Sequence, residues 1–153
     1  MEEDAVAARA TKLLYDISKG AHHEIEAIAL GGVKVVEAYK GYFRCSFVVT
    51  ELQSDGNGNW SFGAMATLVD NVGQMGIYTL TGDFRVSVDF TMSFFSTAKI
   101  QEEVELEAKV VGNIERITSV VVEVRRKSNG ELIALGKQWM AAKSNLQRVV
   151  SNL

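Results

Sequence analysis

From Phe62 to Leu80 the chain reads FGAMATLVDNVGQMGIYTL, and almost everything in its middle is small or oily. A helix of that composition has no face to offer to water, so the rest of the chain has to wrap it. Gly73 and Gly76 lower the intrinsic helix propensity of the segment, but they admit a close approach by another backbone. The spacing therefore predicts a helix from Ser61 or Phe62 to Leu80, buried and packed tightly on a sheet. One residue breaks the pattern. Asp70 puts a full carboxylate into the oily run, and an ionised carboxylate without partners is expensive to bury. Where a protein accepts that cost, the group often has chemistry to perform.

The segments around the helix supply the sheet. GDFRVSVDFTMSFF alternates with a two-residue period, which predicts that Val86, Val88, Phe90, Met92 and Phe94 face one way and Arg85, Ser87, Asp89, Thr91 and Ser93 the other. VELEAKVVG alternates as well, with Val104, Leu106, Ala108 and Val110 on one face. RITSVVVEVRRKSNGELIALGKQWMAA reads as a hairpin around Asn129-Gly130, with both turn residues expected at positive φ. Upstream, VKVVEAYKGYFRCSFVVT predicts two strands, or one bent strand, around Gly41, and QSDGNGN predicts a loop. Residues 4 to about 19 form an amphipathic helix with Val6, Ala10, Leu13, Leu14 and Ile17 on one stripe and Gly20 beyond it. The tail, 144–153, is polar and expected to be loose. Strands joined by short turns run antiparallel. One antiparallel sheet around one long helix is the simplest way to hide both apolar surfaces, so the expected class is α+β in a single domain, 1–153, with its core at about 30–142.

The chain has 153 residues, 47% of them hydrophobic and 23% charged, with a net charge of −3. That suits one globular core and speaks against a nucleic-acid binder, which shows a basic face. No apolar stretch reaches the ~18 residues of a membrane span, and MEEDAVAARATK, acidic and without an apolar run, is not expected to act as a signal peptide. Asn59-Trp60-Ser61 fits the glycosylation pattern, which has no consequence in a chain that is not secreted. Cys45 is alone, so it forms no internal disulfide and reads as a half-buried thiol in a reducing compartment. His22 and His23 are the only imidazoles, they are adjacent, and they read as an exposed link after the first helix; no metal site is expected. Arg125-Arg126-Lys127 reads as a solvated hairpin end.

GAMATLVDNVG on the helix, followed by RVSVDFTMSFFSTAK, resembles the hotdog-fold acyl-CoA thioesterases. The resemblance is to the small single-domain group that includes the phenylacetate-pathway thioesterases and thioesterase superfamily member 2, over roughly residues 30 to 142. It implies a hotdog fold and hydrolysis of a fatty or aryl acyl-CoA, with no cofactor beyond the coenzyme A of the substrate. The family pattern is His-Gly-Gly, an apolar run, then a carboxylate nine residues after the His. Asp70 stands at the carboxylate, and Ser61, Phe62 and Gly63 stand at His-Gly-Gly, so two of those three positions depart. By the resemblance, Asp70 is the catalytic base or nucleophile, and backbone N–H groups of Phe62 and Gly63 receive the oxyanion. Ser87 orients water and contacts substrate, and Asp55 takes the place of a family Asn, with Asn57 or Asn59 there if the loop is shifted. Coenzyme A contacts are implied at Phe94, Phe95, Ser96, Thr97, Ala98 and Lys99, and at Gly112, Asn113 and Arg116, with Lys99 and Arg116 as the charge partners of its phosphates. A hydratase or dehydratase on the same fold, and a non-catalytic acyl-CoA binder, are the alternatives. The final Ser151-Asn152-Leu153 is similar to the Ser-Lys-Leu peroxisomal address, which makes the peroxisome the expected location and the cytoplasm its alternative.

Elementary chemistry fits that picture. A helix N-terminus offers unpaired N–H groups and partial positive charge to an oxyanion. Asp70, among Leu68, Val69 and Val72, is expected to have a raised pKa through desolvation. Met65, Met75, Tyr78, Met92 and Phe94 are candidates to line an acyl channel. Phe62 and Asp70 lie about 12 Å apart along one helix, at ~1.5 Å per residue. One carbonyl carbon cannot meet both in a single chain, so two antiparallel copies of the helix, hence a homodimer with two shared sites, are expected. The resemblance adds that such dimers often pair into a homotetramer.

Overall fold

The protein is described by a computed structural model over residues 1–143. Among these residues three α-helices form: α1 (Glu2–Ser18), α2 (Glu24–Leu30) and α3 (Phe62–Thr81). Six strands form: β1 (Lys34–Tyr39), β2 (Tyr42–Val48), β3 (Arg85–Phe94), β4 (Glu103–Ile114), β5 (Ile117–Arg126) and β6 (Leu132–Ala142). They make one antiparallel sheet in the order β1-β2-β4-β5-β6-β3, curled around α3. This is the α+β hotdog arrangement. Around Gly41 there are two strands, not one bent strand.

The apolar run of α3 is buried as its composition requires: Met65, Leu68, Val69, Val72, Met75 and Ile77 are all fully covered. A Cβ at Gly76 would lie 3.0 Å from the Cβ of Ala108, so helix and sheet meet there at backbone range. α1 closes the layer with Ala10, Leu14 and Ile17 buried, on the stripe read from the sequence. Cys45 is fully buried on β2, not half-buried, and burial pushes its thiol up to about 12, which makes it a packing residue.

Four expectations change. First, α2 occupies a stretch, 24–30, for which the sequence reading gave no element. It is pinned by Gln53, whose Nε2 donates to the Ile28 carbonyl (2.8 Å) while its Oε1 accepts from Thr50. Second, Asn129 does not take positive φ. Only Gly130 does (φ 73°), and Asn129 Oδ1 instead accepts from the Glu131 amide (3.0 Å), so the β5–β6 turn is longer than two residues. Third, Arg126 is largely covered rather than solvated: it pairs with Glu102 and Glu131, and its Nη2 donates to the Thr97 carbonyl (2.8 Å). Fourth, the alternation of β3 is broken by a bulge between Ser87 and Asp89. Ser87 pairs with Met140, Phe90 with Gln138 and Met92 with Gly136, which are alternate residues of β6. Ser87 therefore shares a face with Phe90 and Met92, and Val86 is out of phase with them. A bulge adds one residue to one strand and re-aims the side chains on either side of it.

Candidate active site

Asp70 leaves α3 toward β3 and β6, where two donors await it. Gln138 Nε2 donates to Asp70 Oδ1 at 2.5 Å, and Ser87 Oγ donates to the same oxygen at 3.3 Å. Oδ2 accepts from no described residue. One oxygen is thus held and the other is presented to the adjoining cleft. Burial, the largest influence, raises the affinity of this carboxyl for a proton; the Gln138 and Ser87 donors oppose that, and the charge of Glu26 adds to it. The net direction is upward, as a base working near neutral pH requires.

The cleft beside Asp70 has two lobes that meet at Glu26, Asp70 and Asn71. His23, Ile25, Thr67 and Phe90 line one, of about 390 Å³. His22, Gln74, Phe84, Arg85 and Ser87 line the other. Both histidines are exposed, as expected of a link, yet they border the cleft.

At the other end of α3, Ser61 is the N-cap, and its side chain accepts from the Ala64 amide (3.2 Å). The amides of Phe62 and Gly63 have no acceptor among the described residues. A Cβ at Gly63 would meet nothing, so that end is open. The Phe62 ring does not fold over it: it stacks on Phe94, centroids 4.2 Å apart. Asp55 is committed to its own loop, where Oδ1 accepts from the amides of Asn57 (2.8 Å) and Asn59 (3.1 Å). That loop is stitched to residues 95–100, because the Trp60 amide donates to Ala98 (2.7 Å) and Thr97 Oγ1 to the Trp60 carbonyl (3.0 Å). The segment Phe94, Phe95, Ser96, Thr97, Ala98 and Lys99 thus lies beside the open amides. Within it Ala98 is fully buried and Lys99 exposed. Gly112 and Asn113 end β4, and Arg116 sits in the turn to β5, where its carbonyl accepts from Arg85 Nη1 (3.0 Å). Met65 and Met75 are fully buried in the core against the sheet and Tyr78 nearly so, so these three pack the core and line no open channel; Met92 and Phe94 remain partly exposed. Among the described residues no three His, Cys, Asp or Glu side chains cluster as metal ligands would.

Two residues of the site escaped the sequence reading. Glu26 sits on a helix too short to show a period. Gln138 did carry a signal: it falls in phase with Ala134, Gly136 and Met140, an amide on an otherwise apolar face.

A family model described as "Thioesterase superfamily" matches residues 57–133. Human acyl-coenzyme A thioesterase 13 is 33% identical over 109 residues, 71% of this chain and 78% of its own. This chain belongs to the thioesterase superfamily. It is a thioester hydrolase by that membership. Among solved structures, zebrafish thioesterase superfamily member 2 superposes with a TM-score of 0.81 at 26% identity, over 89% of this chain and 97% of that one. The Escherichia coli PaaI protein of the phenylacetic acid degradation operon shares the fold, with a TM-score of 0.74 at 15% identity over 92% and 98%.

In this thioesterase Gln138 is expected to be the stronger of the two supports of Asp70. Gln138→Leu removes a donor that favours the ionised carboxylate, so the Asp70 pKa rises further. The acid limb of the pH–rate profile is expected to move to higher pH, with kcat about tenfold lower, as for loss of one hydrogen bond to a charged group. A profile that stays in place would show the Gln138 contact to be without consequence.

Proposed function

We propose that this thioesterase hydrolyses an acyl-CoA, with a fatty or aryl acyl group, to the free acid and coenzyme A. The observation that carries the reading is Asp70, one oxygen fixed by Gln138 and Ser87 and the other free at the cleft, on the same helix that ends in two unclaimed amides. Asp70 Oδ2 takes a proton from water as the water oxygen bonds to the thioester carbon. The carbonyl electrons move to oxygen, which the Phe62 and Gly63 amides receive. The intermediate collapses, the C–S bond breaks, and the proton on Asp70 passes to the departing sulfur. A single turnover in heavy-oxygen water tests this against direct attack by Asp70: label reaches the Asp70 carboxyl only by direct attack, when water opens the mixed anhydride at the aspartyl carbon.

The two halves of this machinery lie about 12 Å apart along one helix, so the site is completed by a second copy, its α3 antiparallel. The β3 edge supports this: among the described residues it is unpaired on one side, and it is long and carries exposed Val88, Phe90 and Phe94. Dimers pairing into a tetramer extend the same reading. The test mixes two inactive chains. Phe62→Pro deletes one oxyanion amide without breaking the helix, because proline suits the first helical position and Ser61 already has the extended ψ of 142° that proline demands. Asp70→Asn deletes the base. A refolded equimolar mixture is expected to regain about a quarter of wild-type thiol release, since half the dimers are mixed and each mixed dimer holds one intact site. A mixture as dead as its components would place each site within one chain. The peroxisomal part of the reading rests on Ser151-Asn152-Leu153, outside the described residues; relocation of a tagged chain on deleting those three tests it.

A further inference from the structure

One ionisable side chain in the cleft has no part in the chemistry above. Glu26 stands on α2 where the two lobes meet beside Asp70 and Asn71. Its Oε2 is covered by protein and makes no hydrogen bond to a described residue. A carboxylate oxygen withdrawn from water without a donor weakens a fold. Glu26 is not there by slack packing either, since Ala29 and Leu30 are buried and Gln53 fastens the Ile28 carbonyl. The other charged or titratable groups at the cleft are His22 and His23 from the link before α2, Asp70 from α3, Arg85 from β3 and Lys143 after β6. Arg85 is already engaged by Asp83 (3.1 Å) and by the Arg116 carbonyl (3.0 Å).

We infer that Glu26 is a positioning residue for the hydrolysis: with Oε2 covered, its other oxygen, Oε1, meets the cleft and accepts one hydrogen of the attacking water while Asp70 accepts the other. The inference rests on the acyl-CoA hydrolase reading. A water that donates to two carboxylates turns its lone pairs away from both, toward the thioester carbon. Glu26 takes no proton: the one that water loses goes to Asp70 and then to sulfur. Its standing negative charge also makes Asp70 the more basic, in the direction that burial already pushes it.

Glu26→Gln keeps the shape and removes the charge. In the full-length protein, thiol release from an acyl-CoA panel is expected to show kcat about tenfold lower with KM within about twofold. The acid limb is expected to move to lower pH, opposite to Gln138→Leu. The melting temperature is expected to hold or rise, because an unpartnered charge has gone. Glu26→Asp keeps the charge but shortens the reach: its acid limb is expected to stay near that of the wild type while kcat stays below it. Unchanged kcat and unchanged limb in Glu26→Gln overturn the inference. So does a raised KM at constant kcat, which would make Glu26 a substrate contact, and so does a marked fall in melting temperature, which would make it structural. A wild-type protein that releases no thiol from any acyl-CoA would instead overturn the hydrolase reading, and the role of Glu26 with it.

Discussion

Asp70→Asn is expected to lower kcat for thioester hydrolysis by about a thousandfold, the scale of a lost general base, and to leave the fold intact. Asparagine matches aspartate in size, and its carbonyl oxygen can still accept from Gln138 and Ser87. What disappears is the free Oδ2 and its capacity to hold a proton. The same substitution is expected to stabilise the protein near neutral pH. The folded carboxyl titrates above its ordinary value, so the native state binds more protons than the unfolded chain in the window between the two values. Stability then falls as pH rises through that window, and the whole penalty stands above it. Asparagine carries no such penalty. The melting temperature of the variant is expected to exceed that of the wild type at pH 7, and the gap to close toward about pH 4, near the ordinary aspartate value. Wild-type turnover in Asp70→Asn, or a gap that widens on acidification, would contradict the role given to this carboxylate.

Gly73→Ala is expected to strike fold and site together. A Cβ there would drive into Gln138 Oε1 and lie 3.3 Å from methyls of both Val120 and Val122. The valines belong to a packed sheet, so the Gln138 amide is the group that must yield. Overpacking of this kind costs about 1–3 kcal/mol, readable by urea unfolding. Moving the amide also takes Nε2 off Asp70, so kcat should fall about tenfold, like that of Gln138→Leu. Adding Gln138→Ala to Gly73→Ala separates the two effects. The double variant is expected to regain most of the lost stability and none of the lost activity, a coupling that independent sites do not show. Simple additivity would mean that Gly73 serves the helix–sheet contact alone.

The sequence made the central helix and the strand order readable because both are imposed by burial. A run with no polar face must be wrapped, and alternating strands on short turns can only wrap it antiparallel. Asp70 stood out for the same reason, as a charge against an apolar background. Gln138 bore the same kind of mark in a strand and could have been found by it. The bulge in β3 could not, since GDFRVSVDFTMSFF alternates without a flaw; the extra residue shows only once the strand is laid against β6. Apolar character alone did not distinguish an acyl channel from a core, so Met65 and Met75 read as lining while they pack against the sheet. α2, at seven residues, is below the length at which periodicity speaks, and Glu26 came with it.

The extra residue in β3 leaves this strand one residue longer than its ladder with β6 requires. Substitutions along it alter one contact each. Losing Val88 or Asp89 outright would let the ladder close into a regular one with Ser87 still opposite Met140, its hydroxyl on the same side of the sheet as Asp70. Loss of one residue at 88–89 should therefore be tolerated in working versions of this enzyme, since the contact between the Ser87 hydroxyl and Asp70 does not depend on the extra residue.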